Sequence, residues 1–144
     1  MKVRSLVVAL ALLAIALPST AHAAGGVAVK ETALQRIQRS VARINQQAST
    51  PEGEAAVVKQ LSAQLGMPED SLRTRHDAWG LGYGEVAMVY GFARAARRQS
   101  ASLPDQIVDL RREGQDWRQI AKQLGVNIDA VASRVRRSEP RRAR

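Results

Sequence analysis

The residues able to do chemistry are few. The chain has two histidines and no cysteine. The first histidine, His22, falls in a segment read below as a cleaved leader, which leaves His76. A cysteine nucleophile, a disulfide framework, a thiolate zinc site and a histidine-rich metal site are therefore excluded. A Ser-His-Asp triad would have to use His76, and no Gly-x-Ser-x-Gly elbow accompanies it. Its place near the end of a predicted helix gives it a simpler role, because the dipole favours histidine at a helix C-terminus. Gly80-x-Gly82-x-Gly84 invites comparison with phosphate loops. It is not G-x-G-x-x-G, it follows no strand, and the Lys-Ser/Thr of a P-loop is absent. Glu85, next in the chain, would need an apolar pocket and a second carboxylate to work as a glycosidase-like general acid. The sequence assigns no catalytic residue, no cofactor and no metal ligand. The expectation is a protein that is not an enzyme.

What remains is charge. Lys and Arg number 22 against 13 Asp and Glu, a net charge of +9 over 144 residues. Such an excess calls for an anionic partner: nucleic acid, lipid headgroups or an acidic polymer. The N-terminus changes this reading. Lys2 and Arg4 precede an unbroken apolar run, Leu6 to Leu17; Pro18 ends it, and Ala21-His22-Ala23 offers a small-x-small cleavage site. That order is a secretory signal peptide, and the run is too short to span a bilayer. Cleavage after Ala23 removes two basic residues and no acid, so the mature chain carries +7. Residues 24–79 hold 7 basic and 6 acidic residues, whereas 80–144 hold 13 and 7. The anion-binding candidates are therefore C-terminal: Arg134, Arg136, Arg137, Arg141, Arg142 and Arg144. The expected location is the periplasm or the medium. The expected partner is an anionic envelope component or a protein.

Short helices must position these residues. Leu34, Ile37, Val41 and Ile44 step by three and four, one helical stripe over about 31–48. Thr50-Pro51 reads as an N-cap and first helical position, and the helix it opens ends at Gly66. Pro68 begins a third helix, to about His76. The glycine triplet should not continue a helix, so the next one starts near Glu85. Ser102 with Asp105, and Asp116 with Gln119, read as capping boxes for two more. Asn127 caps the last, which Glu139-Pro140 ends. No stretch alternates long enough for a strand. The expected fold is all-α, about six short helices over 24–138, with a basic tail at 139–144. The aromatics Trp79, Tyr83, Tyr90, Phe92 and Trp117 serve the core.

An internal repeat organises the chain. Residues 58–75 align with 117–134 at a constant offset: Gln60, Gln64, Leu65, Gly66, Asp70 and Arg75 match Gln119, Gln123, Leu124, Gly125, Asp129 and Arg134. Each copy reads as helix, glycine stop, turn and helix, which predicts two similar hairpins packed in one small bundle. Two copies are too few for a solenoid.

Residues 117–137 resemble the helix-turn-helix of bacterial DNA-binding proteins, through Ile120, Ala121, Leu124, Gly125, Val126, Val131 and Val135. The resemblance implies that the helix from Ile128 to Arg137 enters the major groove. Ser133, Arg134 and Arg137 would read bases, while Arg136, Arg141, Arg142 and Arg144 would neutralise phosphates. The export signal and Asp129 in the first turn of that helix oppose this. DNA binding is kept as the alternative. The mature chain is also similar to a group of small exported bacterial proteins without an assigned activity. That similarity rests on Gln64-Leu-Gly-Met-Pro68, Leu81-Gly-Tyr-Gly-Glu-Val-Ala87, Gly114, Asp116-Trp117 and Ile120-Ala121. It implies export and an all-helical fold and supplies no site residue. The reading is a non-enzymatic envelope protein that docks an arginine-rich face on an anionic partner.

Overall fold

A computed structural model describes residues 31–139. The proposed signal peptide lies outside them, as do the tail residues Arg141, Arg142 and Arg144. The described residues form an all-α fold, with no strand and seven helices rather than about six. In chain order these are α1 (Ala33–Gln47), α2 (Pro51–Leu65), α3 (Glu69–Trp79), α4 (Tyr83–Ala95), α5 (Leu103–Arg112), α6 (Trp117–Leu124) and α7 (Ile128–Arg137).

The capping chemistry sets most boundaries. Thr50 accepts a hydrogen bond from the Gly53 N–H, with Pro51 at the first helical position. Asp116 and Gln119 form a reciprocal box at α6, and Asn127 accepts from the Asp129 and Ala130 N–H groups at α7. A box at α1, Thr32 with Gln35, was not foreseen. The expected box at Ser102 is absent: its side chain makes no cap bond. Asp105 is drawn away instead, accepting from Arg75 at 2.5 and 2.7 Å and from Trp79 Nε1 at 2.9 Å. A charged guanidinium nitrogen shared between both carboxylate oxygens outcompetes a backbone N–H.

α4 is the axis of the fold. Its Val86, Met88, Val89 and Phe92 are buried on different sides of the helix, as expected for an element with neighbours all round. α1 and α7 pack on α4 and on each other, α5 and α2 also touch α4, and α2 packs on α3. The core joins Ile37 and Ile44 of α1 to Leu61, Leu72, Phe92, Ile107, Ile120, Val131 and Val135, all fully enclosed. Trp79, Tyr83 and Phe92 serve this core, while Tyr90 and Trp117 are only partly covered.

The glycine triplet is a connection with three different duties. Gly80 ends α3 in the left-handed region, at φ 64°. Gly82 precedes α4 in extended conformation. Gly84 lies inside α4, so the helix begins at Tyr83 rather than near Glu85. A Cβ on Gly84 would stand 2.4 Å from the Val41 carbonyl oxygen and 2.8 Å from the Val41 Cα. Only glycine lets the backbones of α1 and α4 approach this closely.

The two repeat copies share their turn. Gly66 and Gly125 adopt nearly the same left-handed conformation, φ/ψ 61°/36° and 64°/36°. The Met67 N–H donates to the Ser62 carbonyl at 3.2 Å, and the Val126 N–H donates to the Ala121 carbonyl at 2.8 Å. These are matched pairs of the alignment, and the bond is the six-to-one closure of a Schellman cap. Beyond the turn the copies diverge. α3 returns against α2, whereas α7 leaves α6 to pack against α1 and α4.

Candidate functional site

α7 buries Val131, Ala132, Val135 and Ser138 and exposes Ser133, Arg136 and Arg137. At 100° per residue its three described arginines cannot share one face. Arg136 turns towards α1, and Arg134 and Arg137 turn towards α2 and α4. Each side holds a depression.

The first is a groove of about 510 Å3 between α1 and α7. Arg36, Arg39 and Arg43 line its α1 wall; Asp129, Ser133, Arg136 and Glu139 line the other. The α1 arginines were missed at the sequence level. The signal was present: steps of three and four place them on one stripe beside Ile37 and Ile44. The count by sequence halves hid it, because α1 lies in the half with almost no net charge. Four arginines here face two carboxylates. Arg36 pairs with Asp129, which shields the acid that opposed a nucleic-acid reading, and Arg39 pairs with Glu31. Glu139 accepts from the Ser40 hydroxyl and, at 3.2 Å, from Arg43. Ser40 is only 5% exposed. Among the described residues Arg136 has no ion-pair partner.

The second depression, about 180 Å3, is lined by Gln64, Leu65, Ala87, Gly91, Arg94, Arg134, Arg137 and Ser138, with no carboxylate. Arg94 donates to the Gln64 carbonyl at 3.0 Å and to the Leu65 carbonyl, closing the C-terminus of α2. Gln64 Nε2 donates to the Arg134 carbonyl at 3.2 Å, and its Oε1 is buried without a partner. Gly91 keeps this seam tight, since a Cβ there would meet Val131 and Val135 methyls at 3.3 Å.

Between the two depressions runs the exposed ridge of α7 that carries Ser133 and Arg137. The face thus gathers seven arginines: Arg36, Arg39 and Arg43 from α1, Arg94 from α4, and Arg134, Arg136 and Arg137 from α7. A third basic depression, about 500 Å3, lies elsewhere, with Arg97, Arg98 and Lys122 in its lining.

The candidates for catalysis are placed as follows. Glu85 accepts from Asn45 Nδ2 at 2.7 Å, and Asn45 Oδ1 accepts from the Gly84 N–H at 2.7 Å. Its depression holds Gln38, Met88 and Trp117 but no second carboxylate. Trp117 offers no open ring for a sugar: Phe92 packs at 5.0 Å and the Arg111 guanidinium sits 4.9 Å from the ring centroid. His76 stacks on Tyr83 at 4.2 Å and contacts Asp77 at 2.9 Å. Tyr83 donates to Glu54 at 3.0 Å. Burial, and then that bond to Glu54, push its hydroxyl up to about 12. It holds its proton and acts as a strut between α2 and α4. Among the described residues no group of three or more His, Asp or Glu is placed to hold a metal ion. No helix among them is long and apolar enough to cross a membrane.

Comparison with models of protein families, with curated proteins and with solved structures found no match.

Proposed function

We propose that the protein is a non-enzymatic, exported helical interaction protein of the bacterial envelope, and that it docks the face built around α7 on an anionic partner. The observation that carries this is the gathering of seven arginines from three helices into two depressions flanking one exposed ridge. Arginine suits the task, because its planar fork donates two hydrogen bonds to one carboxylate or phosphate. Among the described residues the face carries no large exposed apolar side chain that would enter a bilayer, so a charged polymer fits better than a membrane core. Export rests on the order of basic residues, apolar run and small-residue site at the N-terminus. The α2–α3 and α6–α7 segments share their turn, and α7, which packs on α1 and α4, displays this face.

A salt titration tests the reading. Binding to inorganic polyphosphate should weaken steeply as salt rises, because counterions are released at each contact. Replacing Arg136 and Arg137 with Gln should lower the slope of log affinity against log salt by roughly two. Replacing Arg97 and Arg98, in the separate basic depression, should leave most of the affinity. Absence of binding even at low salt refutes the proposal. Preference for duplex DNA over polyphosphate, with full-length chain recovered on the nucleoid, would favour the helix-turn-helix alternative.

A further inference from the structure

The α1–α7 groove already holds a carboxylate in the position of a ligand. Glu139 reaches across from the end of α7 to a donor pair on α1, the Ser40 hydroxyl and the Arg43 guanidinium. Its side chain is 21% exposed, whereas Arg43 is 63% exposed. Ser40 is a buried hydroxyl whose donated bond goes to this acid. Together they form a small oxyanion site at the end of a groove whose remaining wall is cationic. Arg39 and Arg136 line the same groove within reach of a longer anion. The other acid of the groove, Asp129, lies ten residues earlier on α7 and pairs with Arg36. Both ends of the groove are thus plugged by the protein's own carboxylates, Arg39 is paired outside it with Glu31, and Arg136 alone of its arginines has no ion-pair partner among the described residues.

We infer that the Ser40–Arg43 pair is the anchoring subsite for the oxyanion of the partner, and that Glu139 is an internal competitor which the partner displaces. The inference rests on the docking function proposed above and names its anchor. The ligand is a chain of phosphate oxyanions, which arginine forks bind with two hydrogen bonds each. One oxyanion takes the donors that Glu139 releases, and the following ones meet Arg39 and Arg136. Because one charged acceptor replaces another, the buried Ser40 hydroxyl is never left unsatisfied. Glu139 holds the groove in order until the partner arrives and sets a threshold against weak monovalent anions, which must outcompete a tethered carboxylate.

The test separates a local competitor from a general gain of charge. Glu139→Gln and Glu113→Gln each remove one negative charge, the second on an exposed residue outside the groove. Affinity for inorganic polyphosphate and for polyglutamate is measured by fluorescence anisotropy at two salt concentrations, with circular dichroism melts as the check on folding. Glu139→Gln should bind about tenfold more tightly than the parent chain, equivalent to about 1.4 kcal/mol, and Glu113→Gln within about twofold. Polyphosphate should gain more than polyglutamate, and a gain confined to polyglutamate overturns the phosphate assignment. Equal gains from the two variants overturn the inference while leaving docking intact. Failure of the parent chain to bind either polymer at low salt overturns the docking itself. A readout in the unmodified protein guards against a misfolded variant: the carboxyl carbon resonance of Glu139 should move on saturation with polyphosphate. A resonance that stays in place while the polymer binds refutes the displacement.

Discussion

Replacing Gly84 with Ala probes the contact on which the α1 wall of the groove depends. The added Cβ would stand 2.4 Å from the Val41 carbonyl oxygen, where ordinary contact begins near 3.4 Å. About 1 Å of separation between α1 and α4 is needed. Neither obstacle is a flexible side-chain tip, since the Val41 Cα is also 2.8 Å away. Overpacking costs about 1–3 kcal/mol where neighbours can adjust, and a backbone obstacle places this site at the upper end. A gap of that width also forfeits a quarter to a half of each dispersion contact across the seam. Alanine returns at most about 1 kcal/mol of helix propensity. The expected loss is about 2 kcal/mol or more, which lowers Tm by roughly 8 °C for a domain of this size. Gly91→Ala is the control. Its neighbours are valine methyls at 3.3 Å, and its stability should stay within about 1 kcal/mol of the parent chain. Thermal melts by circular dichroism compare the two. A Gly84→Ala variant that melts at or above the parent temperature would refute the close packing of α1 on α4, and the shape of the groove with it.

Other perturbations follow from the same contacts. Arg75, bonded to both carboxylate oxygens, holds Asp105 below the usual carboxylate range, and Trp79 adds to this. The unfolded chain then takes up that proton first, so the stabilisation is present above about pH 4 and is lost as pH falls towards the folded value. Asp105→Asn should be less stable at neutral pH and show a flatter acid limb in urea titrations; an unchanged limb contradicts the pair. Burial raises both tyrosines, Tyr83 to about 12. Native protein should therefore show little phenolate absorbance near pH 10, and stability should decline as pH rises above the unfolded value. A full phenolate transition near pH 10 in folded protein would place both hydroxyls in water. Exchanging two neighbours, Ala42→Arg with Arg43→Ala, keeps composition and net charge but turns the cation about 100° out of the groove. Polyphosphate affinity should fall several-fold, and an unchanged affinity would mean that bulk charge alone binds.

Local chemistry was legible in the sequence wherever a residue answers to its own neighbours. Thr50-Pro51, Gly66, Asp116 with Gln119, Gly125 and Asn127 each place a helix end, because a cap is decided within four residues. Ser102 with Asp105 has the same spacing and failed. There Ser102 is helical rather than extended and its hydroxyl accepts from Gln106 Nε2, while Asp105 is taken by Arg75 and Trp79 on another helix, which no local pattern contains. Gly84 failed in the same way. It reads as a helix breaker by type, and its presence inside α4 is explained only by the backbone of Val41. The arginines show both sides. Their number and the C-terminal run were plain, whereas the partnership of α1 with α7 depended on how two helices at opposite ends of the described chain pack.

That packing also explains why the run of arginines at 134–137 does not act as a run. Arg134 and Arg136 are two residues apart and so about 200° apart on α7. Consecutive charge on a helix is divided between opposite flanks, and each flank acquires its character from the neighbour laid against it. On one flank the neighbour is α1, whose arginines face the same way because they recur at helical spacing. On the other it is the end of α2 and the side of α4, where Arg94 is held to the last carbonyls of α2. The first flank contains acids and the second does not. A partner laid across the ridge of α7 therefore meets one side that must exchange internal carboxylates for its own anions and one that accepts them directly. An anionic chain long enough to reach both should bind in two phases of salt dependence.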